Sequence, residues 1–153
     1  MEWNGMCGVM EAVNVPHAAA PIVTFWEGEI VDNANNTFLT NKWGASRDID
    51  MKHWSKFSGF VGLEAGVARG AGRCALLATA PQIFMRWKET MFVNASEACG
   101  LTIAGFYYVC LDRQTGTVIG YYFDPNSAPF QFLSLKPCAG DGGGMSFGSY
   151  ALA

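Results

Sequence analysis

A carboxylate at position 89 lies in a stretch whose remaining pattern on one side is apolar. If FMRWKETMFV, residues 84–93, forms an extended strand, successive side chains point to opposite faces. Glu89 then shares its face with apolar residues only: Met85, Trp87, Met91 and Val93. The basic Arg86 and Lys88 point to the other face. Burying an unpaired ionised carboxylate costs several kcal/mol, so Glu89 needs a compensating partner.

Two further predicted strands each place one polar group among apolar neighbours. In TIAGFYYVCL, Tyr107 shares its face with Ile103, Val109 and Leu111, and Gly105 is expected to leave a hole beside the phenol. In FQFLSL, Gln131 shares its face with two leucines. A mostly hydrophobic surface with a few convergent hydrogen-bonding groups is the composition of a ligand pocket. Such a pocket would suit a small cation.

Plainer interpretations of these residues stay open. A β-bulge would shift the alternation around Glu89, a barrel mouth would expose it to water, and Tyr107 fits a core aromatic with a satisfied hydroxyl. Glu27 and Glu29 would lie about 7 Å apart along a strand, a spacing that an inverting glycosidase could use. We expect both on an outer, solvated face. His17 and His53 stand apart from any acid or nucleophile pattern.

Composition excludes several classes of protein. The 153 residues are 50% hydrophobic and 15% charged, with a formal charge of −3 and no basic cluster of the kind that nucleic-acid binders carry. The sequence offers neither a signal peptide nor the roughly 20 consecutive apolar residues of a transmembrane helix, so we expect no membrane insertion. We expect a cytoplasmic protein, with the nucleus as a further compartment. Five irregularly spaced cysteines indicate reduced, buried thiols rather than a disulfide frame or a metal site.

Apolar, β-branched and aromatic runs separated by turn residues predict six strands, at residues 5–13, 21–31, 82–93, 102–111, 117–123 and 130–135. Short connections imply antiparallel pairing, so the predicted fold class is mainly β, a small up-and-down barrel of the lipocalin (calycin) kind. Residues 45–60 predict one helical insertion with Ser46 or Asp48 as N-cap, and 61–80 form an Ala- and Gly-rich loop or weak helix. We assign residues 1–137 to the barrel and 138–153 to a tail.

Several long motifs resemble one known family. They are VTFWEGEIVD (23–32), FLTNKW (38–43), DIDMKHWSKF (48–57), IFMRWKE (83–89), IAGFYYVC (103–110), GYYFDPNSAPFQ (120–131) and SFGSY (146–150). Together they resemble the vacuolar import and degradation family, whose members are substrate receptors of the GID (CTLH) ubiquitin ligase. The DPNSAPFQ and SFGSY segments are most similar to plant members.

The resemblance implies a closed barrel of about eight strands with a deep pocket at one end, no catalysis and no cofactor. Its ligands would be proteins that begin with proline. By resemblance, Glu89 holds the N-terminal ammonium, Tyr107 is its partner phenol, Gln131 lines the pocket and Thr102 supplies a hydroxyl. The apolar walls would come from four residues: Val15, Ile22, Phe92 and Ile103. Without a peptide, desolvation should raise the pKa of Glu89.

The resemblance also implies a partner, the scaffold of the ligase, contacted partly through the tail at residues 144–153 with a glycine tether at 142–144. A frayed terminus is the plainer interpretation of that tail. Family members carry additional strands before the equivalent of residues 5–13, so this barrel is expected to be truncated and incomplete. Residues 61–81 do not match the family's insertion.

Three other functions stay open at this stage. A lipocalin-like barrel would hold a small apolar molecule, with Glu89 and Tyr107 only orienting it. A glycosidase would use Glu27 and Glu29. A truncated, nonfunctional copy would have an open strand edge and low solubility.

Overall fold

The computed structural model describes residues 5–94, 101–126, 131–138, 145–146 and 151–152. Its strands are β1 (Gly5–Ala12), β2 (Ile22–Ile30), β3 (Gln82–Phe92), β4 (Phe106–Asp112), β5 (Val118–Phe123), β6 (Gln131–Pro137), β7 (Met145–Ser146) and β8 (Ala151–Leu152). Its helices are α1 (Arg47–Trp54) and α2 (Glu64–Arg69), with short 3-10 turns at Lys42–Gly44, Ser58–Phe60 and Ala75–Thr79.

The strands β1 to β6 pair in sequence order, each antiparallel to the next, and form a curled half-barrel. The two tail strands β7 and β8 both pair with β6, at residues 136–137 and 131–132 respectively. Within the described ranges β1 pairs with β2 alone, so its other edge is open. The mainly β, antiparallel, up-and-down prediction is confirmed. The glycine tether predicted at 142–144 lies outside the described residues, as do residues 139–141, 147–150 and 153 of the tail.

The inner, concave face of the sheet carries one apolar cluster. Its buried members come from every second position of β2 to β6: Trp26, Met85, Trp87, Tyr107, Val109, Val118, Tyr122, Leu133 and Leu135. Met6 and Met10 of β1 pack against them. This strict alternation is the pattern on which the strand predictions relied.

The outer face of β3 and β4 is covered by the insertion between β2 and β3. Its buried cluster joins Phe84 and Tyr108 of the sheet to Phe38, Trp54 and Phe60 of the insertion. Because both faces are buried, four consecutive residues of β3, Phe84 to Trp87, are almost inaccessible to solvent. The central strands are therefore packed on both faces.

The insertion departs from the single helix predicted for residues 45–60. Helix α1 begins after Ser46, whose side chain accepts a hydrogen bond from Ile49 N as predicted for an N-cap, but it ends at Trp54. Phe57 and Phe60 reach the core from the turns that follow it. Residues 61–80, predicted as a loop or weak helix, contain the short helix α2 and a 3-10 turn. Tertiary packing of aromatic side chains, not helical periodicity, sets these boundaries.

A buried aspartate ties α1 to the sheet and to the preceding loop. Asp50 is fully buried and accepts hydrogen bonds from the Tyr108 hydroxyl at 2.7 Å and from Thr40 N at 2.8 Å. Burial raises the pKa of Asp50, and these bonds and the charge of Arg86 only partly oppose that. The carboxyl group therefore serves as a hydrogen-bonded anchor of the insertion.

The ion pair between Arg86 and Glu29 also joins the insertion to the sheet. The buried Arg86 guanidinium donates to Glu29 Oε1 at 2.5 Å and to Thr37 O at 2.9 Å, while the exposed Lys42 ammonium reaches Glu29 Oε2 at 2.5 Å. Burial alone would raise the pKa of Glu29, but the two cations outweigh it and the pKa lies below its ordinary value. This carboxylate is fully occupied by internal partners.

The cysteines follow the prediction in part. Cys7, Cys74, Cys110 and Cys138 are free thiols, and Cys99 lies outside the described residues. Only Cys74 and Cys110 are buried; Cys7 and Cys138 are exposed, so the expectation of burial is wrong for those two. Burial raises the pKa of the Cys110 thiol to about 12, which makes it a small hydrophobe in this core.

The two cations on Glu29 should differ sharply in their effect on stability. Arg86→Met is expected to lower the free energy of unfolding by about 3–5 kcal/mol, because it leaves a half-buried carboxylate without its buried partner. Lys42→Met removes the exposed cation from the same carboxylate and should cost about 0–1 kcal/mol. Urea denaturation measures both, and equal losses would contradict this assignment.

Candidate functional site

Antiparallel pairing gathers the predicted site residues at one end of the sheet. This site end consists of the carboxyl ends of β1, β3 and β5 and the amino ends of β2, β4 and β6. Six predicted residues lie in or next to these strand ends: Ile22, Glu89, Phe92, Ile103, Tyr107 and Gln131. Val15 lies in the connection between β1 and β2, and Thr102 lies in the segment before β4. The strand order alone brings residues from positions 15 to 131 to the same end.

Glu89 points to the inner face and is 7% exposed. Its Oε1 accepts a hydrogen bond of 2.5 Å from the hydroxyl of Thr24 on β2. Burial raises the pKa of Glu89, and neither the Thr24 hydrogen bond nor the positive charge of Lys88 cancels this effect. The sequence-based expectation of a raised pKa is confirmed.

Two stacked indoles lie beside this carboxylate. Trp26 is the cross-strand partner of Glu89, Trp87 precedes Glu89 by two residues on the same face, and the two ring centroids are 4.3 Å apart with planes at 16°. Trp26 lies over Gly8 of β1, where any Cβ would come within 2.7 Å of the indole. The glycine therefore makes room for the apolar surface next to Glu89.

A β-bulge interrupts the alternation of β3 directly after Glu89. Trp26 pairs with Glu89 and Phe25 pairs with Met91, so Thr90 is the extra residue. Met91 is 56% exposed, as is Val93 at 57%, and the prediction that these two share the face of Glu89 is wrong.

The bulge moves Phe92 to the opposite side from the one that strict alternation predicts. Phe92 pairs with Thr24, a buried residue of the inner face, and paired residues point to the same side. Phe92 is half-buried there. The resemblance assigns Phe92 to the pocket wall, and that role stays a prediction.

Tyr107 is 3% exposed on the inner face, opposite Trp87 and hence diagonal to Glu89. Its other neighbour is Tyr122 of β5, with ring centroids 5.0 Å apart. The predicted hole at Gly105 does not exist: the Tyr122 hydroxyl accepts a 2.7 Å hydrogen bond from Gly105 N. A Cβ on Gly105 would lie 2.0 Å from the carbonyl oxygen of Phe123. The glycine permits this close approach rather than leaving a void.

Thr102 and Ile103 precede β4 rather than forming its first residues, which corrects the predicted strand start at 102. Thr102 is exposed, accepts a hydrogen bond from Ala104 N at 3.1 Å, and bonds to the Tyr122 hydroxyl. Ile103 is half-buried, and its carbonyl accepts a hydrogen bond from the Lys88 ammonium. Both residues reach the site end through the loop.

The remaining predicted residues form the periphery of the site end. Ile22 is 3% exposed at the first position of β2, and Val15 is half-buried. Gln131 is half-buried at the first position of β6, on the face that Leu133 and Leu135 share. These three residues share the site end with Glu89 but lie on β2, in the connection before it and on β6.

Sequence reasoning missed three contributors: Thr24, Tyr122 and Lys88. Thr24 alternates with Ile22 and Trp26, so a hydroxyl among apolar residues was a readable signal of the same kind as Glu89. Tyr122 could have been found from the short β4–β5 connection, which sets it opposite Tyr107. The role of Lys88 depends on a loop contact that no local pattern encodes.

Three ionisable side chains of opposite sign lie at the site end: Lys88, Glu89 and Asp124. The Lys88 ammonium donates to the backbone carbonyl of Glu89 at 2.9 Å, and burial lowers the pKa of Lys88 against the attraction of Glu89 and Asp124. Asp124, just after β5, is 9% exposed. Two carboxylates and one ammonium therefore lie at the site end, among the residues that the structure describes.

The glycosidase hypothesis is not supported by the positions of its two acids. Glu27 is exposed and Glu29 is engaged in the ion pairs with Arg86 and Lys42, both on the outer face. Glu27 and Glu29 line the second of two outer-face cavities, which have volumes of about 410 and 370 Å³, and neither cavity is lined by Glu89 or Tyr107. Within the described ranges, no group of three His, Cys, Asp or Glu side chains could hold a metal ion. No described helix is long and apolar enough to cross a membrane.

Residues 1–138 match the sequence model of a family described as vacuolar import and degradation protein. The chain belongs to this family. The matched range includes every residue of the site end described above.

Several curated proteins are similar to this chain over most of its length. It is 33% identical over 133 residues to the glucose-induced degradation protein 4 homolog of Mus musculus, a match that covers 85% of this chain and 61% of the mouse protein. It is 32% identical over 115 residues to GID complex substrate-recognition subunit 10 of Schizosaccharomyces pombe, covering 72% of the chain and 21% of that protein. Subunit 4 of the same yeast is 29% identical over 153 residues, covering 86% and 73%. The chain thus spans only part of the length of these relatives.

Glu89→Gln should stabilise the ligand-free protein, increasingly so as pH rises. The pKa of Glu89 lies above its ordinary value of 4.5, so the wild type loses stability as pH rises from the unfolded-state pKa through the folded-state pKa. The neutral amide avoids this loss, which amounts to roughly 1.4 kcal/mol for each unit by which the pKa is raised. Denaturation curves between pH 4 and pH 8 measure the difference.

The matched control for this pH series is Glu27→Gln, an exposed carboxylate on the other face of the sheet. It should leave the free energy of unfolding little changed across the series. A Glu89→Gln advantage that does not grow with pH would contradict the description of Glu89 as a desolvated carboxylate.

Proposed function

We propose that this chain is a non-catalytic substrate receptor of a GID (CTLH) ubiquitin ligase, which binds proteins through an N-terminal proline and presents them for ubiquitination and proteasomal degradation. The observation that carries the proposal is the buried, inward-pointing carboxylate of Glu89. Membership of the family and the names of the relatives, which are substrate-recognition subunits, support the receptor role. The first residue of the target is the part that the site would recognise.

A protonated N-terminus supplies what Glu89 lacks. In the part of the chain that the structure describes, the Glu89 carboxylate has a hydroxyl partner in Thr24 but, unlike Glu29, no arginine against it. A prolyl nitrogen carries a positive charge and two N–H donors, and each charge-assisted hydrogen bond contributes about 1.5–3 kcal/mol. The ligand would thereby offset the cost of desolvating the carboxylate. The Tyr107 phenol, which is diagonal to Glu89, would share in this recognition.

The apolar surroundings of Glu89 favour proline over longer side chains. The stacked Trp26 and Trp87 indoles and the half-buried Phe92 give flat apolar surfaces next to the carboxylate. A pyrrolidine ring has almost no rotamer entropy to lose when it binds such a surface. A flexible N-terminal residue would lose more.

The second half of the proposal concerns assembly. A receptor of this kind would dock on the scaffold subunits of the ligase, partly through residues 138–153, and would act in the cytoplasm and the nucleus. The tail strand β8 pairs with β6 at Gln131, which belongs to the site end, whereas β7 pairs at the far end of β6, at Lys136 and Pro137. Scaffold binding through the part of the tail around β8 would therefore lie close to the peptide site in the fold.

Binding of a peptide that begins with proline should depend on both its free amine and Glu89. In fluorescence polarisation, N-acetylation of the peptide and Glu89→Gln should each weaken binding by about tenfold or more, since each removes a charge-assisted hydrogen bond. Glu27→Gln, on the outer face, should bind like the wild type. Equal binding of the free and acetylated peptides would rule out N-terminal recognition.

Assembly should be separable from peptide binding. Expressed with an affinity tag in cells that contain the ligase, the wild type and Glu89→Gln should both recover the scaffold subunits, because the substitution alters only the buried inner face. Deletion of residues 138–153 should reduce that recovery. Failure of the wild type to recover any scaffold subunit would contradict the proposed assembly.

A further inference from the structure

We infer that Thr24 is a positioning residue of the peptide site, whose hydroxyl holds one oxygen of the Glu89 carboxylate so that the other oxygen is presented to the ligand's ammonium. The inference rests on the proposed function, because it assigns a role in binding to a residue that neither the family match nor the resemblance singles out. Thr24 would act through Glu89 and not by contacting the peptide itself.

The geometry that carries this inference is specific to two adjacent strands. Thr24 is 4% exposed on the inner face of β2, and its Oγ1 lies 2.5 Å from Glu89 Oε1 on β3. Thr24 pairs with Phe92 and Trp26 pairs with Glu89, so the two side chains are diagonal neighbours. The bulge at Thr90 lies between Glu89 and Phe92 and bends β3 at this point. The hydrogen bond therefore spans the bulge and fixes the direction of the carboxylate.

Threonine is well suited to hold a carboxylate in this way. Its β-branched side chain has few accessible χ1 rotamers in a strand, so the hydroxyl stays aimed at Glu89. The hydroxyl has a single hydrogen, and donating it to a carboxylate oxygen stabilises the ionised form of the acid. Only the ionised form attracts an ammonium group.

Other titratable groups around Glu89 do not take over this role. Lys88 of β3 directs its ammonium to the backbone carbonyls of Glu89 and Ile103 instead of the carboxylate, and Asp124 after β5 adds negative charge. The hydroxyl of Tyr122 on β5 accepts a hydrogen bond from Gly105 N. Tyr107 of β4 is the other phenol of this face. On β1 and β6, the inner-face positions in the described ranges carry apolar residues and the neutral Gln131.

The test compares two substitutions that differ in the hydroxyl group. Thr24→Val keeps the shape and removes the donor, whereas Thr24→Ser keeps the donor. Thr24→Val should weaken binding of a proline-initiated peptide by about tenfold. As pH falls, binding is lost when Glu89 becomes protonated, so Thr24→Val should lose binding at a higher pH than the wild type. Thr24→Ser should resemble the wild type in both affinity and pH midpoint.

A direct titration separates this inference from the proposed function. The carboxyl carbon of Glu89, observed by NMR in the ligand-free protein, should titrate at a higher pH in Thr24→Val than in the wild type or Thr24→Ser. If the wild type binds the peptide through Glu89 but Thr24→Val shows the same affinity and midpoint, the inference is wrong and the proposed function stands. If no proline peptide binds the wild type, the proposed function is wrong, and an unchanged titration midpoint would overturn the Thr24 assignment as well.

Thr24→Ala is the second hydroxyl-free variant if Thr24→Val does not fold, as judged by its thermal transition. A purely structural role for Thr24 would lower the transition temperature of either variant but would leave the Glu89 titration midpoint where it is in the wild type. A shifted midpoint in a folded variant supports the assignment.

Discussion

The desolvation of a single carboxylate is the constraint to which the site end of this sheet is fitted. Glu89 is nearly removed from water, and what surrounds it is a threonine hydroxyl, two stacked indoles and phenols from the next strands. None of these neutralises its charge. The inner face therefore holds a desolvated carboxyl group in surroundings of low polarity, where its ionised form interacts more strongly with a positive charge than it would in water. This is a property of the strand order and register as much as of the residue itself.

The two partly or fully buried glutamates of the sheet show how differently the same group can be used. On the outer face, Glu29 has Arg86 and Lys42 as partners, and its pKa lies below the ordinary value. On the inner face, the pKa of Glu89 lies above it. The first carboxylate is satisfied within the chain and fastens the insertion to β2 and β3. The second has no arginine or lysine on its oxygens among the described contacts, and its one hydrogen-bond partner there is the Thr24 hydroxyl.

Much of the architecture was predictable because the relevant signals are local. The six main strands lie close to their predicted positions, and the inward direction of Glu89 and Tyr107 follows from counting residues along a strand. The bulge at Thr90 was not predictable in this way, because it exists only relative to the register of β2. The same holds for Gly105, whose apparent hole is filled by a tyrosine from β5, and for α1, which ends before Phe57 and Phe60 join the core from the following turns. Errors arose wherever a partner distant in sequence decided the local geometry.

The indole pair next to Glu89 gives the protein an optical property of its own. Two aromatic chromophores stacked 4.3 Å apart at 16° share their excited states and absorb as a coupled unit. Their coupling depends on spacing and angle, and the spacing is maintained by the close approach of Trp26 to the backbone at Gly8. A molecule that settles against the rings, or a change of charge on the adjacent acid, would alter the exciton band in circular dichroism and the tryptophan emission. Occupancy of this region is thus recorded spectroscopically without any added label.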